Sequence, residues 1–289
     1  MHQSLARTVA ATILLGASAC VTMPAHAAPA DPSTPTVFAH RGASTEAPEN
    51  TLAAVRRAHE QHITWVENDV QRTKDGALVV IHDATLNRTT DVEQVFPDRA
   101  PWRVADFTLA EIRRLDAGVW FAPHFSGERV PTLEEYLRLL DQDRQGLLLE
   151  LKRPELYPGI EKQTVDALEK AGWLDQAHLS GRLVIQSFDA DALRRTHELR
   201  PAVVTGFLGS PPVSCLKEYA AFADQINPDA KDVTYAYVQA VHSVKGPDGK
   251  PLRMNAWTVD DLATAVRMAA LGADGIITNR PDVIRNGVQ

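Results

Sequence analysis

Nine short apolar runs punctuate this chain of 289 residues, and most of the segments between them carry helical spacing. The runs are Val37–Ala39, Trp65–Val70, Leu78–Ile81, Leu147–Leu151, Leu183–Ile185, Val203–Phe207, Phe222–Ile226, Met254–Trp257 and Gly275–Thr278. Continuous apolar runs of this length suit strands buried on both faces of a parallel sheet. Thr108 with Glu111 and Thr132 with Glu135 form capping boxes, which mark helix starts. Each box precedes an apolar stripe: Leu109, Ile112 and Leu115 in one, Leu133, Leu137 and Leu140 in the other. Asn50 is a candidate cap for a helix through Leu52, Val55 and Ala58. Thr258 is a candidate cap for one through Leu262, Val266 and Ala269, with Gly272 as its stop. Strand–helix alternation predicts a parallel α/β fold.

Polar clusters sit on or beside six of these runs: His40-Arg41-Gly42, Glu67-Asn68-Asp69, His82-Asp83, Glu150-Leu151-Lys152, Gln186-Ser187-Phe188 and Asn255-Ala256-Trp257-Thr258. Functional groups at the ends of successive strands are what a (β/α) barrel uses to assemble one site from distant sequence. Nine runs exceed the eight places of a closed barrel. Only Gln71–Ala77 separates the second run from the third, whereas a parallel crossover needs on the order of a dozen residues. Thr73-Lys74-Asp75-Gly76 has turn chemistry, so one of these two strands is expected to be a hairpin extra. Residues 84–131 lack a clear strand and exceed an ordinary connection; they are expected to be an insertion packed over the barrel mouth. The long 228–252 loop carries no placing motif.

Residues 1–27 have the pattern of an export signal: Arg7 as the only charge, an apolar stretch from Val9 to Cys20, and Ala25-His26-Ala27 as a small-x-small cleavage site. The stretch is too short and too poor in Leu and Ile for a stable membrane span. The expected location is therefore secreted or in the cell envelope; lipid anchoring at Cys20 is the weaker alternative. Residues 28–36 are a Pro-rich spacer, which leaves 37–289 as the folded domain. Loss of Arg7 moves the formal net charge from −7 to −8. This balance argues against nucleic acid as a partner. With Cys20 gone only Cys215 remains, so the mature chain has no internal disulfide. Nothing in the sequence sets an oligomeric state.

On a strand, residues two apart share a face, so Glu67 and Asp69 project together. Inside a barrel they cost a great deal unless a cation or donors neutralise them. Glu150 follows Leu147-Leu148-Leu149 and poses the same problem. Three separate salt bridges would satisfy them; one shared cation would do so more economically. An all-oxygen set suits one divalent cation, Ca²⁺ or Mg²⁺, rather than Zn²⁺. His40 and His82 each follow a strand, and beside carboxylates and Arg41 they suit a general acid and a general base. Arg41 offers a donor fork for phosphate oxygens. Lys152, two residues after Glu150, adds a point charge on the same side. Either cation could instead pair with Glu67, Asp69 or Glu150. The whole set suits metal-assisted cleavage of a phosphate ester.

These residues resemble the glycerophosphodiester phosphodiesterases. The likeness runs through His40-Arg41-Gly42, Pro48-Glu49-Asn50-Thr51, the Glu-x-Asp of Glu67 and Asp69, Thr73-Lys74-Asp75-Gly76, Val80-Ile81-His82-Asp83 and Leu86-Asn87-Arg88-Thr89-Thr90. It continues through Pro131-Thr132-Leu133-Glu134-Glu135, the Glu-x-Lys of Glu150 and Lys152, Gln186-Ser187-Phe188, Asn255-Ala256-Trp257-Thr258-Val259 and Gly275-Ile276-Ile277-Thr278-Asn279-Arg280-Pro281, covering about 37–284. The resemblance implies a TIM (β/α)8 barrel with a small insertion after His82, the end of the third strand. It implies hydrolysis of a small-molecule phosphodiester, a glycerophosphodiester, to sn-glycerol 3-phosphate and an alcohol. By the same resemblance Glu67, Asp69 and Glu150 are the metal ligands and His40 and His82 the acid–base pair. Arg41 and Lys152 hold the phosphate, and Trp257 lines the pocket. Asn279 stands where many relatives have Asp. Two other readings compete: a barrel phospholipase of the C or D type acting on intact or lyso-phospholipids, with Trp102, Val119-Trp120-Phe121 and Pro211-Pro212-Val213 as its apolar rim, and an exported protein that binds phosphodiesters without cleaving them.

Overall fold

The computed structural model describes Met1 and residues 34–288. The export segment and most of the Pro-rich spacer lie outside the described residues. Nine strands follow in order: β1 Thr36–Ala39, β2 Trp65–Arg72, β3 Leu78–Val80, β4 Gly146–Leu151, β5 Leu183–Ser187, β6 Val204–Leu208, β7 Gln225–Asn227, β8 Arg253–Ala256 and β9 Gly275–Thr278. Eight of them are parallel and close on themselves, because β1 pairs with both β2 and β9. The ninth, β3, runs antiparallel to β2 with Val70 opposite Val80. It is the hairpin extra. Its turn is held by Thr73, whose hydroxyl donates to Asp75 and accepts from the Ala77 amide, and Gly76 supplies the positive φ of 87°.

Strand alternation builds two cores. One face of each strand points outward and packs under the helices: Ala39, Val66, Leu147, Leu149 and Ile185 join Val55, Leu137, Leu140 and Leu168 in the main apolar cluster. The other face points into the barrel, where Phe38, Leu148, Val184 and Ile277 form a plug below the mouth. Phe38 meets Trp65 edge to face at 5.3 Å. Glycines make room for these rings. A Cβ on Gly146 would lie 2.8 Å from the Trp65 ring, and one on Gly275 would overlap Asn255 Oδ1 and come within 2.6 Å of the Phe38 ring.

Four local expectations need correction. The helix Leu52–Glu60 is capped by Thr51, not Asn50: Thr51 accepts from the Ala54 amide, while Asn50 takes a φ of 60° and turns inward. The helix Leu262–Leu271 is capped by Asp261, not Thr258, though Gly272 does stop it in the left-handed region. Strand β7 begins at Gln225; Phe222 and Ala223 are apolar because they pack with Leu193 in a turn beneath the sheet. The 228–252 stretch is not simply a long loop but contains the helix Tyr235–His242, started by Thr234.

Both capping boxes form, at Thr108–Glu111 and Thr132–Glu135, the second starting the helix Leu133–Gln142. Residues 84–131 hold short turns around an apolar core of their own that includes Leu86, Val92, Phe107, Ile112 and Leu115. Trp102 packs against that core and spends its indole N–H on the Phe96 carbonyl, so it does not offer a free apolar rim. No helix among the described residues is long and apolar enough to cross a membrane.

The space taken by the two rings gives a stability prediction. Gly275→Ala should destabilise the fold by about 1–3 kcal/mol through overpacking, and Gly275→Val by more. Urea unfolding monitored by tryptophan fluorescence measures this; a change for Gly275→Val within about 0.5 kcal/mol of zero, the level of an ordinary surface substitution, would show that the barrel floor is not close-packed there.

Candidate active site

The residues two positions above the apolar plug are polar. Above Phe38 on β1 comes His40, above Trp65 on β2 come Glu67 and Asp69, and above Leu148 on β4 come Glu150 and Lys152. Asp69 and Glu150 are directly paired in the β2–β4 register. All of these groups therefore reach the carboxyl end of the barrel, where βα loops surround the mouth. One pocket of about 100 Å³ is lined by His40, Arg41, Glu67, His82, Glu150, Lys152 and Trp257, together with Gln186 and Phe188. Asp69 lies beneath its floor and is fully buried.

Glu67, Asp69 and Glu150 each present a carboxylate oxygen within 4.8 Å of the others, and all three are buried. Some of their demand is met by the protein. The Arg41 amide donates to Glu67 Oε2 at 2.9 Å, and Asn50 Nδ2 donates to Asp69 Oδ2 at 2.8 Å. Lys152 Nζ stands 2.9 Å from Glu150 Oε1 and 3.5 Å from Asp69 Oδ1; Arg41 Nε stands 3.3 Å from Asp69 Oδ2. Both cations thus pair with the acids, as the simpler reading of Arg41 and Lys152 anticipated. Two cations do not balance three carboxylates, and Asp69 Oδ1 remains buried without a hydrogen-bond partner. Burial, then the charges of Asp69 and Glu150, push Glu67 well above the usual carboxylate range. Burial and Asp69 raise Glu150 to about 8. Burial would also raise Asp69, but Lys152, Arg41 and the Asn50 amide outweigh it and hold Asp69 low. The three oxygens, hard and clustered, with one orphaned atom among them, fit a hard divalent cation.

The two histidines occupy different settings. His40 is held through Nδ1, 2.7 Å from the side-chain oxygen of Asn279, and its Nε2 lies 3.9 Å from Glu67 Oε2. Burial, with the nearby Arg41 charge, lowers its pKa to about 4. His82 is held through Nδ1 at 2.6 Å by Asp83, which in turn receives Arg88 Nε at 2.6 Å. Arg88 also forks onto Glu49, with both bonds at 2.8 Å, and Glu49 receives Arg41 Nη1 at 2.9 Å. A chain of polar contacts therefore runs from His82 through Asp83, Arg88 and Glu49 to Arg41. Gln71 donates to the carbonyls of Ile81, His82 and Asp83, fixing the backbone that carries the imidazole. Trp257 is fixed by its indole N–H on the Asn227 carbonyl and meets Phe188 edge to face at 5.5 Å.

Every site residue expected from the sequence lies in or directly under this one pocket. Sequence reasoning missed the residues that hold them. Asn50 was assigned to a helix cap, Glu49, Asp83 and Arg88 stood in the family motifs without a role of their own, and Gln71 carried no signal beyond ordinary polarity. Asn279, noted as a departure, does make the hydrogen bond to His40.

A family model described as the glycerophosphoryl diester phosphodiesterase family matches residues 40–283. A glycerophosphodiester phosphodiesterase of Caldanaerobacter subterraneus is 38% identical over 256 residues, covering 88% of this chain and 97% of that one. A glycerophosphodiester phosphodiesterase of Bacillus subtilis is 35% identical over 263 residues, covering 85% and 83%. Among solved structures, a phosphodiesterase of Oleispira antarctica in complex with the product sn-glycerol-3-phosphate superposes with a TM-score of 0.73 at 29% identity, over 88% of this chain and 97% of that chain. The carboxyl-end pocket, the closed eight-stranded barrel and these near full-length likenesses lead to one conclusion: the chain belongs to the glycerophosphoryl diester phosphodiesterase family and is a glycerophosphodiester phosphodiesterase.

Proposed function

We propose that the enzyme hydrolyses glycerophosphodiesters to sn-glycerol 3-phosphate and an alcohol with the help of one divalent cation, Ca²⁺ or Mg²⁺, and two histidines. Glu67, Asp69 and Glu150 would hold the cation. When bound it would withdraw charge from a nonbridging phosphate oxygen. Arg41 and Lys152, beside these acids, would orient the phosphate by turning their N–H groups from the carboxylates to the substrate. His40 takes a proton through Nε2 from the attacking water as its oxygen bonds to phosphorus. His82 gives a proton to the departing alkoxide as the P–O bond breaks. Burial, with the nearby Arg41 charge, keeps His40 uncharged at neutral pH, as a general base must be. Trp257 and Phe188 form an apolar wall beside the leaving group. The observation that carries the reading is the convergence of three acids, two histidines and two cations on one pocket. The export pattern of residues 1–27 further leads us to propose that this activity operates outside the cytoplasm, in the envelope or the medium.

His40→Ala or His82→Ala should each lower kcat by about a hundredfold or more with an unchanged melting temperature, measured as sn-glycerol 3-phosphate released from a panel of glycerophosphodiesters. Near-normal turnover in either variant removes that histidine from the mechanism. Chelation should abolish turnover, and Ca²⁺ or Mg²⁺ should restore it; full activity in chelator would leave the carboxylates with a structural task only.

Cation binding should also be linked to pH. The cation requires ionised carboxylates, yet Glu67 lies well above its usual range and Glu150 near 8 when no cation is present. At neutral pH Glu150 must lose a proton on binding, so affinity should rise as pH climbs toward about 8 and weaken as pH falls. Calorimetry at pH 7 in buffers of different ionisation enthalpy should register net proton release. Equal heats in all buffers would contradict the raised pKa values.

A further inference from the structure

His40 can serve as a base at Nε2 only if its hydrogen sits on Nδ1. The hydrogen sits there only if the atom facing Nδ1 is an acceptor. That atom is Asn279 Oδ1, at 2.7 Å. An amide side chain is nearly symmetric in shape, and turning it by half a rotation would present its NH₂ instead. The NH₂ would donate to Nδ1, drive the hydrogen to Nε2, and leave the pocket facing a donor instead of a lone pair.

Asp260, in the loop after β8, prevents that turn. Its Oδ2 accepts from Asn279 Nδ2 at 2.7 Å, and its Oδ1 accepts from the Asn279 backbone amide at 2.8 Å and from Thr278 Oγ1 at 3.2 Å. An ionised carboxylate only accepts, so it fits the NH₂ end of the amide and rejects the oxygen end. Ser44 Oγ donates to Asn279 Oδ1 at 2.9 Å, but a hydroxyl can donate or accept and so follows the amide rather than orienting it. Asp260 does not line the pocket and makes no hydrogen bond to His40.

We propose that Asp260 is a positioning residue that locks the Asn279 amide, so that His40 keeps its hydrogen on Nδ1 and turns the Nε2 lone pair toward the substrate. The proposal rests on His40 being the general base. A residue that merely tied two loops together would affect stability but would not set the ring tautomer.

The test joins ¹⁵N NMR of histidine-labelled protein, with the His40 signals identified by their loss in His40→Ala, to kinetics on a charge exchange. In the wild type the neutral His40 ring should be the Nδ1–H form. In Asp260→Ala it should become a mixture of both tautomers, with kcat down about tenfold and KM within about twofold. Asn279→Asp alone brings two carboxylates together at the 2.7 Å contact and should also lose kcat. The exchange Asp260→Asn with Asn279→Asp restores one donor and one acceptor and should recover kcat to within about threefold of wild type and return the Nδ1–H form. An unchanged tautomer in Asp260→Ala, or an exchange no better than Asn279→Asp alone, overturns the proposal. Full activity in His40→Ala would sink the general-base assignment instead, and the tautomer measurement would still decide whether Asp260 controls the ring.

Discussion

Mutual repulsion among Glu67, Asp69 and Glu150 is the constraint around which the mouth of the barrel is organised. Carboxylates packed this closely and this deeply resist being ionised together. The fold supplies Arg41, Lys152, the Asn50 amide and a backbone N–H, and these hold only Asp69 firmly as an anion. What remains is a preformed demand for positive charge at the place where a phosphodiester would enter. The apolar plug of Phe38, Leu148, Val184 and Ile277 keeps water from answering that demand from below. The cluster is therefore a cost to folding that a bound cation would offset.

The residues behind the pocket make two similar side chains different. Both histidines are held at Nδ1, and both belong to the rim of one pocket. His82 leans on Asp83, Arg88 and Glu49, a chain of contacts that ends on Arg41. His40 leans on a neutral amide whose direction is set by Asp260. The two rings therefore differ in what holds them, a carboxylate in one case and a neutral amide in the other.

The barrel was legible because most of its strands are short and apolar, and because the polar clusters fall on or just after them. Glu67 and Asp69 gave themselves away by their spacing on β2, and the hairpin by a connection too short to cross over. Boundaries slipped where two polar residues competed for one task. Asn50 and Thr51 both have capping chemistry, and only the fold shows that Asn50 is drawn away to Asp69, nineteen residues on. Phe222 and Ala223 looked like strand because burial in a turn leaves the same apolar mark as burial in a sheet. The roles of the supporting residues were hidden for a different reason. Glu49, Asp83 and Arg88 stood in recognisable motifs and Asp260 in none, but what each one holds depends on partners brought near by closure of the barrel.

The account stands on one cation shared by Glu67, Asp69 and Glu150. The most direct measurement is crystallography of the protein soaked in Mn²⁺, a hard divalent ion with an anomalous signal. One anomalous peak bounded by oxygens of all three side chains is the expected result. Full occupancy elsewhere, with the three carboxylates still bonded only to Arg41, Lys152 and Asn50, would contradict it.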